Sequence, residues 1–327
     1  MSNPAAGPDP LAVLDEAQRA RLRPASLPDR VEPMKAVLTE QRDWGESWLF
    51  ERKLDGIRCV AIKDAHRVRL ASRNQLSLNG RFPEIVAALE ADAATEFVID
   101  GEIVAFGGAQ TSFARLQQRG SGNVRVFLYA FDLLHLSGFD TTRLPLRTRK
   151  ALLRRSLTWS GPIRFTVHRN HGGEALFRDA CRRGWEGLIA KREDAPYTHG
   201  RSRDWLKLKC SAQQELVIGG YTPPRGSRSD FGALLLGYFQ RGRLRYAGKV
   251  GTGFTRASLQ ELGEQLQPMR REHSPFADEV RERGAVWVEP QLVAEVAFTE
   301  WTRDGRLRHP SFLGLRDDKP AVEVVRE

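Results

Sequence analysis

Short apolar runs, alternating with charges and broken by turn residues, recur along most of this chain. In the first clear case Trp48, Phe50 and Leu54 share one parity, while Glu51, Lys53 and Asp55 share the other. A strand with that alternation buries one set and presents the other as a polar row. Asp55-Gly56, between the runs at 49–54 and 57–62, predicts a tight hairpin that holds Lys53 rigidly. Residues 97–106 form a longer apolar run carrying Asp100 and Glu102 on one parity. Residues 185–192 place Glu186 at the start of a buried strand, and strict alternation over 205–209 puts Lys207 and Lys209 on one face. Beyond residue 210 the composition changes. Strand-like runs at 215–222, 233–240 and 244–250 precede a helix over Arg256–Leu266, where Leu259, Leu262 and Leu266 repeat at helical spacing, and 292–301 reads as another strand.

The pattern is α+β, without the strand–helix rhythm of a doubly wound sheet, and its last third fits a small barrel of the oligonucleotide-binding (OB) type. It predicts an N-terminal arm at 1–29, a first domain at 30–210 and a second at 211–327, with a hinge near 210–214. The arm, rich in Pro, Ala and Arg, is expected to be loosely held, with a short helix over Leu11–Arg23.

Composition narrows the class. The 327 residues, 41% hydrophobic and 28% charged, suit two globular domains with real cores. No apolar run is long enough to span a bilayer, and the first residues lack the apolar core of a secretory signal. Together these predict a cytoplasmic protein with no membrane partner. Lys and Arg number 51 against 41 Asp and Glu, a net charge of +10 that points to a polyanionic partner such as nucleic acid. Cys59, Cys181 and Cys210 are far apart, match no zinc spacing and read as separate buried thiols of a reducing compartment. His66, His168, His171 and His199 form no metal-ligand spacing, and the basic run at 143–155 reads as a solvated helix face.

Four polar rows on separate short strands carry the candidate chemistry. A lysine is a covalent nucleophile when its amine is neutral, and cations or partial burial around Lys53 would favour that state. Asp100, Glu102 and Glu186 are costly to bury unless paired or metal-bound. Lys207 and Lys209 repel each other unless an anion such as phosphate lies between them.

In their order these residues resemble the covalent nucleotidyltransferase superfamily of ATP-dependent DNA ligases, RNA ligases and mRNA capping enzymes. Lys53-Leu-Asp55-Gly56-Ile-Arg58 is similar to its first motif, and Ser72-Arg73-Asn74 to the next. Asp100-Gly-Glu102, Phe131-Asp132, Glu186-Gly-Leu-Ile-Ala-Lys191, Trp205-Leu-Lys207-Leu-Lys209 and Arg316-Asp-Asp318-Lys319 follow in the family's order. Within the superfamily the segments 196–205, 219–226 and 307–312 look like the ligase module of bacterial ligase D, which acts in non-homologous end joining. One departure is Gln75, where the family often has glycine. Another is the length, which leaves no room for the polymerase and phosphoesterase domains of full ligase D proteins.

The resemblance implies a nucleotidyltransferase (adenylation) domain of antiparallel sheets with helices, followed by an OB-fold β-barrel. It implies a DNA ligase that uses ATP, with Mg²⁺ or Mn²⁺, through lysyl-AMP and DNA-adenylate intermediates. Lys53 would be the nucleophile, with Asp55 and Arg58 beside it. Glu51 would accept from the adenine amino group and Phe131 would stack on the ring. Arg58, Arg73, Arg201, Lys207 and Lys209 would contact ribose or phosphate. Glu102 and Glu186 would hold the metal, with Glu102 also placed at the ribose. Arg316, Asp318 and Lys319, in the second domain, would act when that domain closes. The implied partners are DNA with nicks or breaks and, as an open question, Ku or another end-joining repair protein. The expected state is a monomer in the bacterial cytoplasm. An RNA ligase, a capping-type guanylyltransferase and a non-catalytic OB-type DNA-binding module remain alternatives on these motifs.

Overall fold

The computed structural model describes residues 10–117, 124–210, 212–224, 230–302 and 304–326. Residues 1–9 of the expected arm, Ser211 of the expected hinge and Arg225-Gly226 lie outside them. The chain divides into two compact units, Met1–Cys210 and Ser211–Glu327. Among the described residues no helix is long and apolar enough to cross a membrane.

The first unit contains two sheets. An eight-stranded sheet contains, in spatial order, Val126–Leu136, Phe97–Gly107, Ile57–Lys63 and the edge strand Val68–Ser72, each antiparallel to the next. The short strand Ile163–Phe165 joins Val126–Leu136 in parallel. A five-stranded sheet runs in the order His168–Arg169, Trp48–Lys53, Gly187–Arg192, Gly200–Lys209, Met34–Leu38, the last pair parallel. The sheets are mainly antiparallel, as expected, each with one parallel pair at an added strand.

Asp55-Gly56 makes a turn but not a hairpin. The strand before it belongs to the five-stranded sheet, and the strand after it to the eight-stranded one. The turn dipeptide specifies a change of direction, while the pairing partner is chosen by burial of both strand faces. Gly56 fits because a Cβ there would collide with the Ile103 carbonyl and the Val104 side chain.

Burial follows the alternation on each strand. Trp48, Phe50, Leu188, Ala190, Leu206 and Leu208 form one cluster with Ala180 of the helix Gly173–Arg182, on the outer face of the five-stranded sheet. The intervening positions face the other way, where Trp205 and Met34 pack with Val60, Ile62, Val98 and Phe131 of the eight-stranded sheet. The largest core of the unit covers the far side of the latter, with Ile85 and Leu89 of the helix Pro83–Glu90 and Leu152 and Leu153 of Leu146–Ser156.

Three sequence expectations need correction. Residues 10–29 are not a loose arm: Leu11 and Leu14 are buried in that largest core, and Arg23–Pro24 pairs with Phe139–Asp140. In place of one helix over 11–23 there is a 3-10 turn at Pro10–Val13 and a capped helical turn at Glu16–Arg19. The basic run is not wholly solvated either. In Leu146–Ser156 the positions 146, 149, 150 and 153 lie at i, i+3, i+4 and i+7, so Arg149 and Lys150 fall on the buried stripe with two leucines. Finally, Cys181 and Cys210 form a disulfide, while Cys59 is a buried free thiol. The helix carrying Cys181 packs where the strand Gly200–Lys209 ends, which brings the two Cα atoms to 5.1 Å, within bonding range.

Among the described residues the second unit has a seven-stranded curled sheet around a single core and a separate two-stranded ribbon, Glu300–Trp301 with Leu307–Arg308. Arg243–Val250, Leu234–Gln240, Ala212–Tyr221, Val293–Phe298 and Ser311–Arg316 pair in succession, all antiparallel. Phe312 N on the last strand donates to Thr252 O just beyond the first, which draws the edges together into a barrel. The helix Arg256–Leu266 lies where its leucine spacing predicts, starts at a Thr255 capping box, and buries Leu259, Leu262 and Leu266.

The disulfide gives a direct check. Alkylation of the denatured protein without reductant is expected to modify one cysteine, Cys59, and after reduction all three, read by intact mass. Three modified thiols without reductant would contradict the pairing.

Candidate active site

Strand register assembles the site. Lys53 lies opposite Gly187, and Gly187 opposite Lys209. One row along, Glu51, Ile189 and Lys207 are aligned, and beyond them Leu49, Lys191 and Trp205. Directly opposed residues point to the same side of a sheet. Glu51, Lys53, Lys191, Lys207 and Lys209 therefore share the face that Trp205 packs against the other sheet. Gly187 between the two lysines cannot be replaced by a larger residue, because a Cβ there would strike the Leu208 carbonyl.

Lys53 Nζ is ion-paired with Glu186 Oε1. Burial alone would lower the Lys53 pKa, but Glu186, followed by Glu102 and Asp55, outweighs it and raises the value above that of an ordinary lysine. This corrects the expectation of an amine pushed towards neutrality: the nearest charges are anions. Lys53 is therefore favoured as the ammonium, and weakening the Glu186 contact would ease loss of its proton. The second Glu186 oxygen, Oε2, is buried and has no hydrogen-bond partner. A buried, unpartnered carboxylate oxygen, in a pocket whose Lys53 also feels the charge of Glu102, suits a hard divalent cation.

From the opposite sheet Arg58 faces the same seam, its Cα aligned with Glu102. Its Nε and Nη2 donate to the two oxygens of Asp100, both at 2.6 Å, and Nη2 also donates to Met34 O at 3.0 Å. Tyr197 completes the ring. Its hydroxyl donates to Asp100 Oδ2 at 2.6 Å and accepts from Met34 N at 2.8 Å. Burial alone would lower the Arg58 pKa, but Asp100 outweighs it and raises it further above the ordinary range. Asp100 is fully buried, and this bidentate pair offsets a desolvation cost of several kcal/mol.

Glu51 is buried and held by two lysines. Lys150 Nζ donates to Oε1 at 2.5 Å, and Lys191 Nζ lies 2.6 Å from Oε2. Burial alone would raise the Glu51 pKa, but the two ammonium groups outweigh it and lower it. Phe131, on Val126–Leu136, packs edge-on to Trp205, and Lys191 Nζ sits 4.1 Å from the centroids of both rings. Burial, helped by Lys150 and opposed by Glu51, depresses the Lys191 pKa to about 8.

The remaining candidates are spread more widely. Asp55 Oδ2 accepts from Phe113 N at 2.9 Å and its own N–H donates to Thr111 Oγ1, which pins the turn after Lys53. Arg73 is half-buried in the turn after Val68–Ser72. There Gln75 adopts the left-handed backbone at φ 65° that glycine would take, at a cost of about 1 kcal/mol. Its amide donates to Val31 O at 2.7 Å, which offsets that cost and explains how the turn forms without glycine. Arg201 is exposed, beyond a register shift between Ser202 and Leu206, and is not aligned with the lysine rows.

Arg316, Asp318 and Lys319 belong to the second unit. Arg316 pairs with both oxygens of Asp318 and with Glu295, and Lys319 with Glu215. Sequence reading missed Lys150, Tyr197, Glu295 and the role of Asp100. Only Lys150 carried a usable signal, its position on the apolar stripe of a helix.

Family comparison matches the ATP dependent DNA ligase domain to residues 28–209 and the ATP dependent DNA ligase C terminal region to residues 227–319. The chain belongs to the ATP-dependent DNA ligases. It is similar to the multifunctional non-homologous end joining protein LigD of Pseudomonas aeruginosa, 41% identical over 92% of this chain and 37% of that protein. To LigD of Mycolicibacterium smegmatis it is 37% identical over 95% of this chain and 42% of that one. The chain thus spans less than half the length of these curated relatives. Among solved structures, mycobacterial DNA ligase D complexed with ATP and MES matches with a TM-score of 0.66 and 34% identity, over 91% of this chain and 98% of that one. The ligase domain from M. tuberculosis LigD matches with a TM-score of 0.50 and 36% identity, over the same shares. The expected fold class, a nucleotidyltransferase domain followed by an OB-like barrel, is that of these ligases.

In this ligase chain Glu186 sets the protonation of Lys53. Glu186→Gln is expected to lower the Lys53 pKa and so to speed its modification by an amine-selective acylating reagent about tenfold or more at neutral pH. Peptide mass spectrometry of Lys53 over a pH series measures this, and an unchanged rate would refute the pairing.

Proposed function

We propose that this chain seals 5′-phosphate/3′-hydroxyl breaks in DNA with ATP, through lysyl-AMP and DNA-adenylate intermediates. The observation that carries the reading is the register of one sheet face. A carboxylate suited to a base (Glu51), a nucleophile (Lys53) and two phosphate-binding cations (Lys207, Lys209) lie in adjacent rows.

Once its proton is lost, the Lys53 Nζ lone pair attacks the α-phosphorus of ATP. A P–N bond forms and the bond to pyrophosphate breaks. A DNA 5′-phosphate oxygen then attacks the same phosphorus and releases lysine. Finally the neighbouring 3′-hydroxyl attacks the DNA 5′-phosphorus, and AMP leaves as the phosphodiester forms. The reaction needs positioning and charge neutralisation more than new covalent machinery. Glu51 accepts from the adenine amino group, Phe131 offers a ring face, and Arg58, held by Asp100, reaches the ribose or phosphate side. Arg73, Arg201, Lys207 and Lys209 supply positive charge to phosphates. Asp55 keeps the Lys53 turn in place. Glu186, with Glu102, is the donor set for Mg²⁺ or Mn²⁺, which supplies positive charge against the triphosphate. Glu102 is also the proposed contact to the ribose. Arg316, Asp318 and Lys319 serve the step that releases pyrophosphate.

The proposed domains are an adenylation domain at 30–210, onto which residues 10–29 of the N-terminal segment 1–29 pack, and an OB-fold domain at 211–327. Double-strand break repair by end joining is the proposed setting, with Ku or another repair protein as recruiter. It rests on likeness to the LigD proteins. A monomer in the bacterial cytoplasm is the proposed state. The net charge of +10 supports a DNA-facing surface.

Incubation with labelled ATP and Mg²⁺ or Mn²⁺ is expected to give a covalent adenylate that Lys53→Ala abolishes, and nicked 5′-phosphorylated DNA is expected to discharge it. An adduct formed from GTP but not ATP would overturn the reading. Arg316→Ala is expected to reduce lysyl-AMP formation by about a hundredfold or more while sparing the sealing of pre-adenylated nicks. Equal loss of both steps would remove Arg316 from pyrophosphate release.

A further inference from the structure

Lys150 lies on a helix remote in sequence from every motif above, yet it is 1% exposed and touches the centre of the site. Two lysines hold Glu51, and they hold it differently. Lys150 Nζ has three protons and meets three acceptors: Glu51 Oε1 at 2.5 Å, Thr166 O at 3.0 Å and Phe131 O at 3.4 Å. Withdrawing so saturated an ammonium would strand several buried acceptors, at about 1–3 kcal/mol each. Lys191 Nζ lies 2.6 Å from Oε2, and its other close neighbours are the faces of Phe131 and Trp205, with no backbone acceptor among the described residues such as Lys150 has. Freeing Oε1 would break three contacts of Lys150, whereas freeing Oε2 breaks one ion pair, so Oε2 is the oxygen at which a ligand can replace a side chain.

A group that takes the place of Lys191 meets an acceptor-only oxygen beside an aromatic face. A flat heterocycle with an exocyclic amine fits both. A 6-amino group donates to the carboxylate, whereas a 6-oxo group sets one acceptor against another. With Lys191 displaced, Lys150 remains as the cation that keeps Glu51 ionised.

We propose that Lys150 is a positioning residue for base selection. By holding Glu51 Oε1 and the Phe131 carbonyl together, it fixes the carboxylate as an acceptor beside the ring and favours 6-aminopurine nucleotides over purines without that amine. The proposal rests on the reading of this site as a nucleotide pocket with Glu51 at the base.

The test compares rates of Lys53 adduct formation with ATP and with purine riboside triphosphate, which lacks the 6-amino group. Wild-type protein is expected to prefer ATP. Lys150→Met is expected to lower kcat/KM for ATP about tenfold or more, mostly through KM, and to leave purine riboside triphosphate within about twofold. Lys150→Arg, which keeps the cation, is expected to retain the preference. Equal losses on both nucleotides would show a general structural role and overturn the proposal. Should Lys150→Met fail to fold, Lys150→Gln removes the charge while leaving a donor, and is read on the same ratio. If neither folds while Lys150→Arg does, Lys150 is a structural counter-ion and the proposal falls. Absence of any Lys53 adduct in the wild type would instead overturn the underlying reading of the site.

Discussion

Charge held out of water between two sheets is the constraint around which the first unit is organised. Glu51, Asp100 and Asp132 are all nearly or fully buried. Each has its own cation: Lys150 and Lys191 for Glu51, Arg58 for Asp100, Arg149 for Asp132. Losing one partner of such a pair costs roughly 3–5 kcal/mol. A whole domain is stable by only about 5–15 kcal/mol. The pairs therefore leave little freedom in how the two sheets face each other. They also give the helix Leu146–Ser156 its place, since Arg149 and Lys150 reach carboxylates on both sheets.

The same pairing prepares the chemistry. Lys53 is held as an ammonium against Glu186, in an ion pair that competing charges can remove. Arg58 is oriented before any ligand arrives, because Asp100, Tyr197 and Met34 fix its guanidinium. Under the proposed function, binding replaces internal pairs with ligand pairs instead of creating charge contacts afresh. This keeps the reorganisation small at the moment of reaction.

The second unit repeats the principle on a smaller scale. Arg316 is enclosed by Asp318 and Glu295, and these acids raise its pKa against the opposing effect of burial. Between the units the chain leaves at Cys210, which is anchored twice, by the bond to Cys181 and by its N–H to Glu186 O. The residue that pairs with Lys53 thus also steadies the point where the first unit ends.

The alternating runs were sufficient to place most strands, and the leucine spacing to place Arg256–Leu266, because side-chain period is a local property of the backbone. The ordered motifs were sufficient to name the family, since each is a short run of neighbouring residues. Sequence alone misread the Asp55-Gly56 turn, because a turn dipeptide does not say which sheet its strands join. It missed the Cys181–Cys210 bond and the burial of Lys150, both of which depend on partners far away in the chain. It expected a Lys53 drifting towards neutrality, where the fold supplies Glu186. Residue types and local periods determined which groups were available, and the tertiary structure decided their charge partners, because electrostatics in a buried seam depends on distance in space.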